Sequence, residues 1–177
     1  GVIPDIEIEK EYLNHVISGI LDSGVLFDFA VNEINKDGED YNIDPELFEL
    51  SNQQWDAFVK FVNDEFSLEL LESTGRDFPY EPQTKLLVDV LEAAMEEDGT
   101  LESNSDLITR LSDLSRPNLN EDLSKNEKEI RAALTEELIF HSENTSGVFR
   151  HVLPYDIVTL EAVSKLESGE YLEILGF

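Results

Sequence analysis

Residues 124 to 153 read SKNEKEIRAALTEELIFHSENTSGVFRHVL, and this stretch carries the pattern from which the fold is predicted. Within it, Ile130, Leu134, Leu138 and His141 follow one another at steps of four, four and three residues. Because an α-helix completes a turn in about 3.6 residues, these steps place the four side chains on one face. The pattern therefore predicts a long central helix whose Leu134 side is buried in the core.

Two local signals suggest where this central helix starts and where it is interrupted. Ser124 and Glu127 have the spacing of a capping box, in which each side chain satisfies a free backbone amide at a helix start. Residues 144 to 147 read NTSG, and asparagine, serine and glycine favour turns over helix interiors. We therefore expect the helix to begin at Ser124 and to break between Asn144 and Gly147. A second apolar group follows the break, before Pro154: Val148, Phe149, Val152 and Leu153.

Apolar residues at helical spacing predict further helices on both sides of the central one. Each is bounded by a glycine, a proline or a capping residue. The predicted helices and their inward residues are Glu9 to Asp22 (Leu13, Val16, Ile17, Ile20, Leu21), Val25 to Lys36 (Leu26, Phe27, Ala30, Ile34), the helix opened by Ser51 and Gln54 (Trp55, Phe58, Val59, Val62), Pro82 to Gly99 (Leu86, Leu87, Val90, Leu91, Ala94), Ser105 to Ser115 (Leu107, Leu111, Leu114), Asp156 to Glu167 (Ile157, Leu160, Val163, Leu166) and a last apolar turn at Tyr171 to Leu175.

Two segments lack helical periodicity. Val2 to Ile8 contains Pro4, which cannot donate to a central sheet ladder, so we expect an extended segment or edge strand there. Phe66 to Tyr80 is predicted to be an irregular connection with a short strand at Leu68 to Leu71. The predicted fold class is all-α: an irregular multi-helix bundle with a short extended segment at the N-terminus.

Composition and charge narrow the classes of function. The chain has 177 residues, 41% of them hydrophobic, with 40 acidic residues against 12 basic ones and a formal net charge of -28. A surface this negative repels phosphate backbones and anionic lipids, so we expect no nucleic-acid partner. No apolar run approaches the roughly 20 residues of a membrane span, so we expect no membrane insertion. The absence of cysteine excludes disulfides, thiolate metal sites and a cysteine nucleophile.

The sequence assigns no catalytic, cofactor-binding or metal-ligating residue. Its three histidines, His15, His141 and His151, never occur in the HxxxH spacing that places two imidazoles on one metal. A GxSxG elbow, a Ser-x-x-Lys step and a glycine-rich phosphate loop are also absent from the sequence. His15 and His141 lie near apolar helical faces, where we expect structural histidines. We therefore predict no catalytic residue, no cofactor and no metal.

The acidic turn between two predicted helices is the best candidate for a calcium site. Asn35, Asp37, Glu39 and Asp44 carry the oxygen atoms that calcium prefers. An EF-hand loop needs glycine at its sixth position, but counting from Asn35 the glycine comes two positions early. Shifting the loop to correct the glycine places Asp44 where a bidentate glutamate belongs. The pattern favours a solvated acidic turn, with calcium binding kept as the alternative.

Several stretches, in this order, resemble one family, the carboxyl-terminal processing peptidases or tail-specific proteases. GVIPDIEIE at residues 1 to 9 resembles the segment that ends the protease domain of that family. SGVLFDFAVNE at 23 to 33 and FPYEPQTKLLVDVLEAAMEEDG at 78 to 99 are similar to helical segments that follow in its larger members. The tail, from ELIFHSENTSGVFRHVLPYD at 137 to 156 through YLEIL at 171 to 175, resembles the family's closing region.

The resemblance implies a parent serine endopeptidase with a Ser/Lys dyad and a PDZ domain, both upstream of this chain. It implies that residues 1 to 8 end the peptidase domain and that residues 9 to 177 form a non-catalytic, C-terminal helical domain with a structural or interaction role. The implied partners are its own upstream peptidase domain, and a protein substrate or a second copy. The implied location is the bacterial periplasm or cell envelope. The alternative is a free-standing acidic regulatory or calcium-binding helical protein.

The misregistered loop leads to a first prediction: calcium binding is weak or absent. Titration calorimetry at moderate salt should show no stoichiometric site of micromolar affinity, because no register of the loop places all its ligands correctly. Asp37→Ala should therefore give the same trace as the unaltered chain. A stoichiometric site that disappears in Asp37→Ala would contradict the prediction.

Overall fold

The computed structural model describes residues 14–37 and 42–174, and the regular structure within them is helical, with no strand. This confirms the all-α fold class. The extended segment predicted at Val2 to Ile8, and the division of the chain at residue 8 or 9, lie outside the described residues and stay predictions. The helices are α1 (His15–Asp22), α2 (Val25–Asp37), α3 (Asn52–Glu65), α4 (Leu68–Thr74), α5 (Gln83–Glu97), α6 (Ser105–Leu114, after a 3-10 turn at Glu102–Asn104), α7 (Leu119–Lys125), α8 (Glu127–Val152), α9 (Ile157–Ser168) and α10 (Glu170–Ile174).

The helices form two compact units. Of the described residues, the large unit contains 14–29 and 50–134, and the small unit contains 30–37, 42–49 and 135–174. Helices α2 and α8 therefore each contribute residues to both units.

The helices of the large unit begin where side chains satisfy free backbone amides. The Asn14 side chain accepts hydrogen bonds from the backbone amides of Val16 and Ile17, which starts α1. Ser51 and Gln54 form the predicted capping box at the start of α3. With the starts set in this way, α1 buries Val16, Ile17 and Ile20, and α3 buries Trp55, Phe58 and Val62.

The aromatic centre of the large unit involves Phe29 rather than the expected Phe27. The Phe29 ring meets the rings of Phe58 and Phe61 edge-on, at centroid distances of 5.3 and 5.6 Å. The exposed fraction of Phe27 is 51%, so its predicted inward position is wrong. The buried row of α2 runs through Leu26, Phe29 and Ala30, and a step of one residue rotates a side chain by about 100°. Phe27 is therefore turned away from that row.

The central helix is present, but it begins later than the capping-box pattern predicted. Ser124 lies inside α7, and α8 begins at Glu127 after Asn126 has ended α7. Asn126 is 8% exposed, and its side-chain amide donates to the carbonyl oxygen of Asp122 at 2.7 Å. Its side-chain oxygen accepts from the amide nitrogen of Asn14 at 2.6 Å. These two bonds hold the Asn126 side chain at the end of α7, and Ser124 lies inside that helix, so Ser124 does not cap α8.

The buried face and the break of the central helix are both confirmed. Ile130 and Leu134 in the large unit, and Leu138 in the small unit, are completely buried. Asn144 has backbone angles φ 58° and ψ -168°, which are not helical, so two helical segments meet there at a kink. An asparagine tolerates a positive φ better than most residues do, which explains why the break falls at this position.

The segment after α3 is helical, not the irregular connection with a strand at Leu68 to Leu71 that the sequence suggested. Helix α4 spans Leu68–Thr74 and ends at Gly75, whose φ of 66° is left-handed. Leucine and glutamate favour helices, and this stretch holds none of the β-branched residues that favour strands until Thr74. The prediction was wrong because the segment is too short to show a helical period.

The loop after α4 packs closely against α1 in the large unit. A Cβ atom added at Gly19 would lie 2.4 Å from the carbonyl oxygen of Pro79 and 2.7 Å from the Cβ of Tyr80. The Tyr80 hydroxyl donates to Asp122 Oδ2 at 2.7 Å, which ties the loop to α7. Burial is the main cause that raises the pKa of Tyr80, and the hydrogen bond to Asp122 raises that pKa further. The hydroxyl therefore stays protonated and can donate.

The complete burial of Leu134 predicts a large effect of truncation. Leu134→Ala removes buried apolar surface and leaves a cavity, and should lower the free energy of unfolding by about 2–5 kcal/mol. Glu136 lies two residues along α8 and is exposed, so Glu136→Ala should change that energy by less than about 0.5 kcal/mol. Thermal unfolding followed by circular dichroism compares the two variants. Equal melting temperatures would mean that the Leu134 face does not carry the core.

The contact between Gly19 and Pro79 predicts that alanine at position 19 lowers the free energy of unfolding, although helix propensity alone would raise it. Gly→Ala inside a helix ordinarily stabilises it by about 1 kcal/mol. Here the added methyl group meets backbone atoms that cannot rotate away, so Gly19→Ala should destabilise by about 1–3 kcal/mol. Ser18→Ala, one residue earlier in α1, is the matched control and should change little. Denaturant unfolding that shows Gly19→Ala to be more stable would refute the close packing.

Candidate functional surfaces

The histidines of this chain make structural contacts. The His15 ring meets the Tyr80 ring edge-on at a centroid distance of 6.1 Å. His141 Nε2 lies 3.2 Å from Glu137 Oε1, one turn earlier in α8. His151 Nδ1 lies 2.8 Å from the carbonyl oxygen of Pro45, which accepts its hydrogen bond. Each ring is thus placed by a neighbour in its own unit, and these contacts do not place an imidazole beside a hydroxyl nucleophile.

The candidate metal ligands are only partly described. In the described ranges 14–37 and 42–174, no group of three or more histidine and acidic side chains could hold a metal ion. The calcium candidate includes Glu39, which lies outside those ranges, and the side chain of Asp37 is not described either. Asp44 accepts a hydrogen bond from the backbone amide of Glu46 through Oδ1 at 3.1 Å. The expectation of weak or absent calcium binding therefore stays a prediction.

A cleft of about 390 Å³ lies in the large unit, beside the contact between Gly19 and Pro79. Its charged lining residues are Asp22, Arg76 and Asp77. The Arg76 guanidinium is 3.3 Å from Glu65 Oε2 and 6.0 Å from the centre of the Phe66 ring, so neighbouring side chains hold it in place. The lining contains no histidine or lysine that could act as a base for a nucleophile.

The small unit is organised around the kinked half of α8. A Cβ atom added at Gly147 would lie 3.0 Å from Ile139 Cγ2 and 3.3 Å from Pro45 Cγ, so the chain around Pro45 approaches the helix closely here. The backbone amide of Ile43 donates to Ser142 Oγ at 3.4 Å, and His151 Nδ1 lies within hydrogen-bond distance of the Pro45 carbonyl oxygen. Residues 43 to 45 are thus held against α8 by packing and by hydrogen bonds.

Three outer helices expose the apolar residues that the sequence predicted to lie inward. On α5, Leu87 and Val90 are 70% and 68% exposed, and Val88 is buried instead. On α6, Leu107 and Leu114 are exposed and Ile108 is buried. On α9, four predicted core residues are exposed: Ile157, Leu160, Val163 and Leu166. The sequence predicted these three helices correctly, but it predicted the wrong face of each to be buried. Helical periodicity shows which face is apolar, and it does not show whether another element packs on that face.

These exposed apolar faces are the main candidate functional feature of the chain. Single exposed leucines are normal on a soluble protein, but several on one helix face mark a surface made for contact with another molecule. None of the described helices combines the length and the apolar character that a bilayer span requires.

Comparisons with known proteins agree with a role inside a larger protease. A search of curated proteins finds no match, and a search of solved structures finds none either. The family model described as "Probable PDZ-protease, C-terminal helical domain" matches residues 16–166, which is most of the chain and includes α2 to α8 in full. This chain therefore belongs to the family of C-terminal helical domains of probable PDZ-proteases.

Proposed function

We propose that this chain is the non-catalytic helical C-terminal domain of a serine endopeptidase of the carboxyl-terminal processing, or tail-specific, type. The observation that carries the proposal is the family match over residues 16–166, which assigns the chain to the helical domain of a larger protease. The ordered resemblance of residues 1–9, 23–33, 78–99 and 137–175 to tail-specific proteases supports the more specific type. A Ser/Lys dyad would then belong to the upstream protease portion.

Three of the described lysines have ion pairs that oppose a role as a catalytic base. A lysine that acts as the base for a serine must lose its proton near neutral pH, so its pKa has to be lowered. Lys85, Lys125 and Lys165 instead pair with glutamates, and those hydrogen bonds and charges raise their pKa. They remain protonated at neutral pH, which is the wrong state for a base.

In this proposal the role of the domain is to bind the peptidase domain of its own polypeptide and to brace it. The exposed apolar helices supply surface for such a contact, since leucine and valine side chains gain about 25 cal/mol for each Å² of apolar area removed from water. A protein substrate is a further partner in this proposal, and so is a second copy, for which the exposed faces of α6 and α9 supply apolar surface. We place the parent protease in the bacterial periplasm or cell envelope, on the strength of the family resemblance.

The proposal predicts how activity divides between the parts of the parent. The 177-residue chain alone should not cleave an unstructured protein substrate, whereas the longer protease that contains it should. Removing residues 16–166 from the longer protein should lower its melting temperature and its kcat/KM, because the brace is lost. Replacing the dyad serine of the protease portion with alanine should abolish cleavage while leaving the melting temperature unchanged.

Two results would contradict this assignment. Cleavage by the isolated chain that persists through repeated purification, and that one of the chain's own substitutions such as His151→Gln abolishes, would make the chain itself an enzyme. A protease portion that keeps its full stability and kcat/KM without residues 16–166 would show that the domain does not brace it.

A further inference from the structure

One face of α5 forms a continuous apolar surface on the large unit. We call it the α5 stripe, and it consists of Leu86, Leu87, Val90 and Leu91, which are 50%, 70%, 68% and 40% exposed. Leu87, Val90 and Leu91 are spaced at i, i+3 and i+4, so their side chains are neighbours on the helix surface. Val88 faces the interior of the unit. The helix is therefore anchored by its Val88 side and presents the α5 stripe outward.

An acidic row runs along the same helix beside the α5 stripe. Asp89, Glu92 and Glu96 are exposed and spaced at i, i+3 and i+7, which again places them on one line. At about 100° of rotation for each residue, this row lies between the buried Val88 side and the Leu86 edge of the stripe. Lys85 also lies on this side of the helix and pairs with Glu81. The stripe and the row together make a surface that is apolar in one strip and negative in the next.

The charge of this surface selects among its potential occupants. A second copy of the chain would place its own acidic row against the first row, and each copy carries a net charge of -28. The two copies would therefore repel each other at this surface. An anionic membrane would be repelled in the same way. A helix with leucines at i, i+3, i+4 and i+7 and a flanking row of lysines or arginines complements both strips, in the way that amphipathic helices bind apolar surfaces.

We propose that the α5 stripe and its acidic row bind a cationic amphipathic helical segment of another protein chain. This goes beyond the proposed function, which concerns the peptidase domain of the same polypeptide. The apolar strip supplies most of the affinity, because it removes leucine and valine surface from water. The acidic row supplies orientation and selects basic over acidic segments.

The first experiment measures binding of a designed peptide to the 177-residue chain by fluorescence anisotropy. The probe is a labelled amphipathic helix with leucines at i, i+3, i+4 and i+7 and lysines along one flank, and its partner probe carries glutamates in place of the lysines. The lysine probe should bind and the glutamate probe should not. Added salt should weaken binding of the lysine probe, because the charges in the acidic row are solvent-exposed.

Variants of the chain locate the binding site. The double variant Leu87→Gln and Val90→Gln should weaken binding by about tenfold or more, since each side chain loses apolar contact with the probe. Leu166→Gln on α9 is the matched control, because Leu166 is an exposed helical leucine (60%) outside the α5 stripe, and it should bind as the unaltered chain does. Asp89→Asn with Glu92→Gln should keep the fold and reduce the salt dependence. Circular dichroism confirms that each variant folds, which these exposed positions should allow.

Four outcomes would overturn the inference. The first is equal binding of the lysine and glutamate probes. The second is unchanged binding of the lysine probe by the Leu87→Gln and Val90→Gln variant. The third is self-association of the unaltered chain, measured by sedimentation, that the same variant abolishes. The fourth is loss of lysine-probe binding in the longer protein that contains the protease portion, which would mean that the peptidase domain itself covers the α5 stripe. That last result would leave the bracing function standing, so the two proposals fail separately.

Discussion

Burial of one side of α8 is the interaction on which the rest of the structure depends. Ile130 and Leu134 are fully buried in the large unit, as are Leu138 and Ile139 in the small unit, so one helix supplies core residues to both. Burying a leucine or isoleucine side chain contributes about 1.5–3 kcal/mol, against a total stability of about 5–15 kcal/mol for a typical domain. A single change in this row therefore has consequences for the whole unit in which it lies.

Ion pairs on the surface of this acidic chain contribute little to its free energy of unfolding. Many of the ion pairs join exposed side chains three or four residues apart in one helix, as in Lys125 with Glu121 and Arg116 with Asp113. Exposed pairs of this kind contribute about 0–1 kcal/mol each. Besides the apolar core, part-buried hydrogen bonds also join different elements, such as Asn14 with Asn126 and Tyr80 with Asp122. These bonds favour the pairing of these elements, because leaving the buried side chain of Asn126 or Tyr80 without its partner would be costly.

The proposed function follows from the family assignment and from the exposed surfaces of the described helices. The family assignment places the chain in a larger protease, and the described histidines serve as structural contacts. What distinguishes the chain is apolar surface on α5, α6 and α9 that its own described residues leave exposed. On α5 this surface is bordered by acidic side chains, and the proposed preference for basic partners rests on that border. A helical domain attached to a protease would meet other protein surfaces through such faces.

The sequence by itself determined the fold class, most helices, the buried row of α8 and its break near Asn144, because helical periodicity and turn-forming residues are local properties. The caps at Ser51 and Asp156 and the glycine stop at Gly24 were predictable for the same reason. Only the tertiary structure decided which apolar faces are covered. It buried Phe29 and Val88 while leaving Phe27 and Leu87 exposed, since coverage depends on neighbours that are distant in sequence. It also paired Asn126, at the end of α7, with Asn14, a partner 112 residues away that no local pattern around Ser124 could reveal.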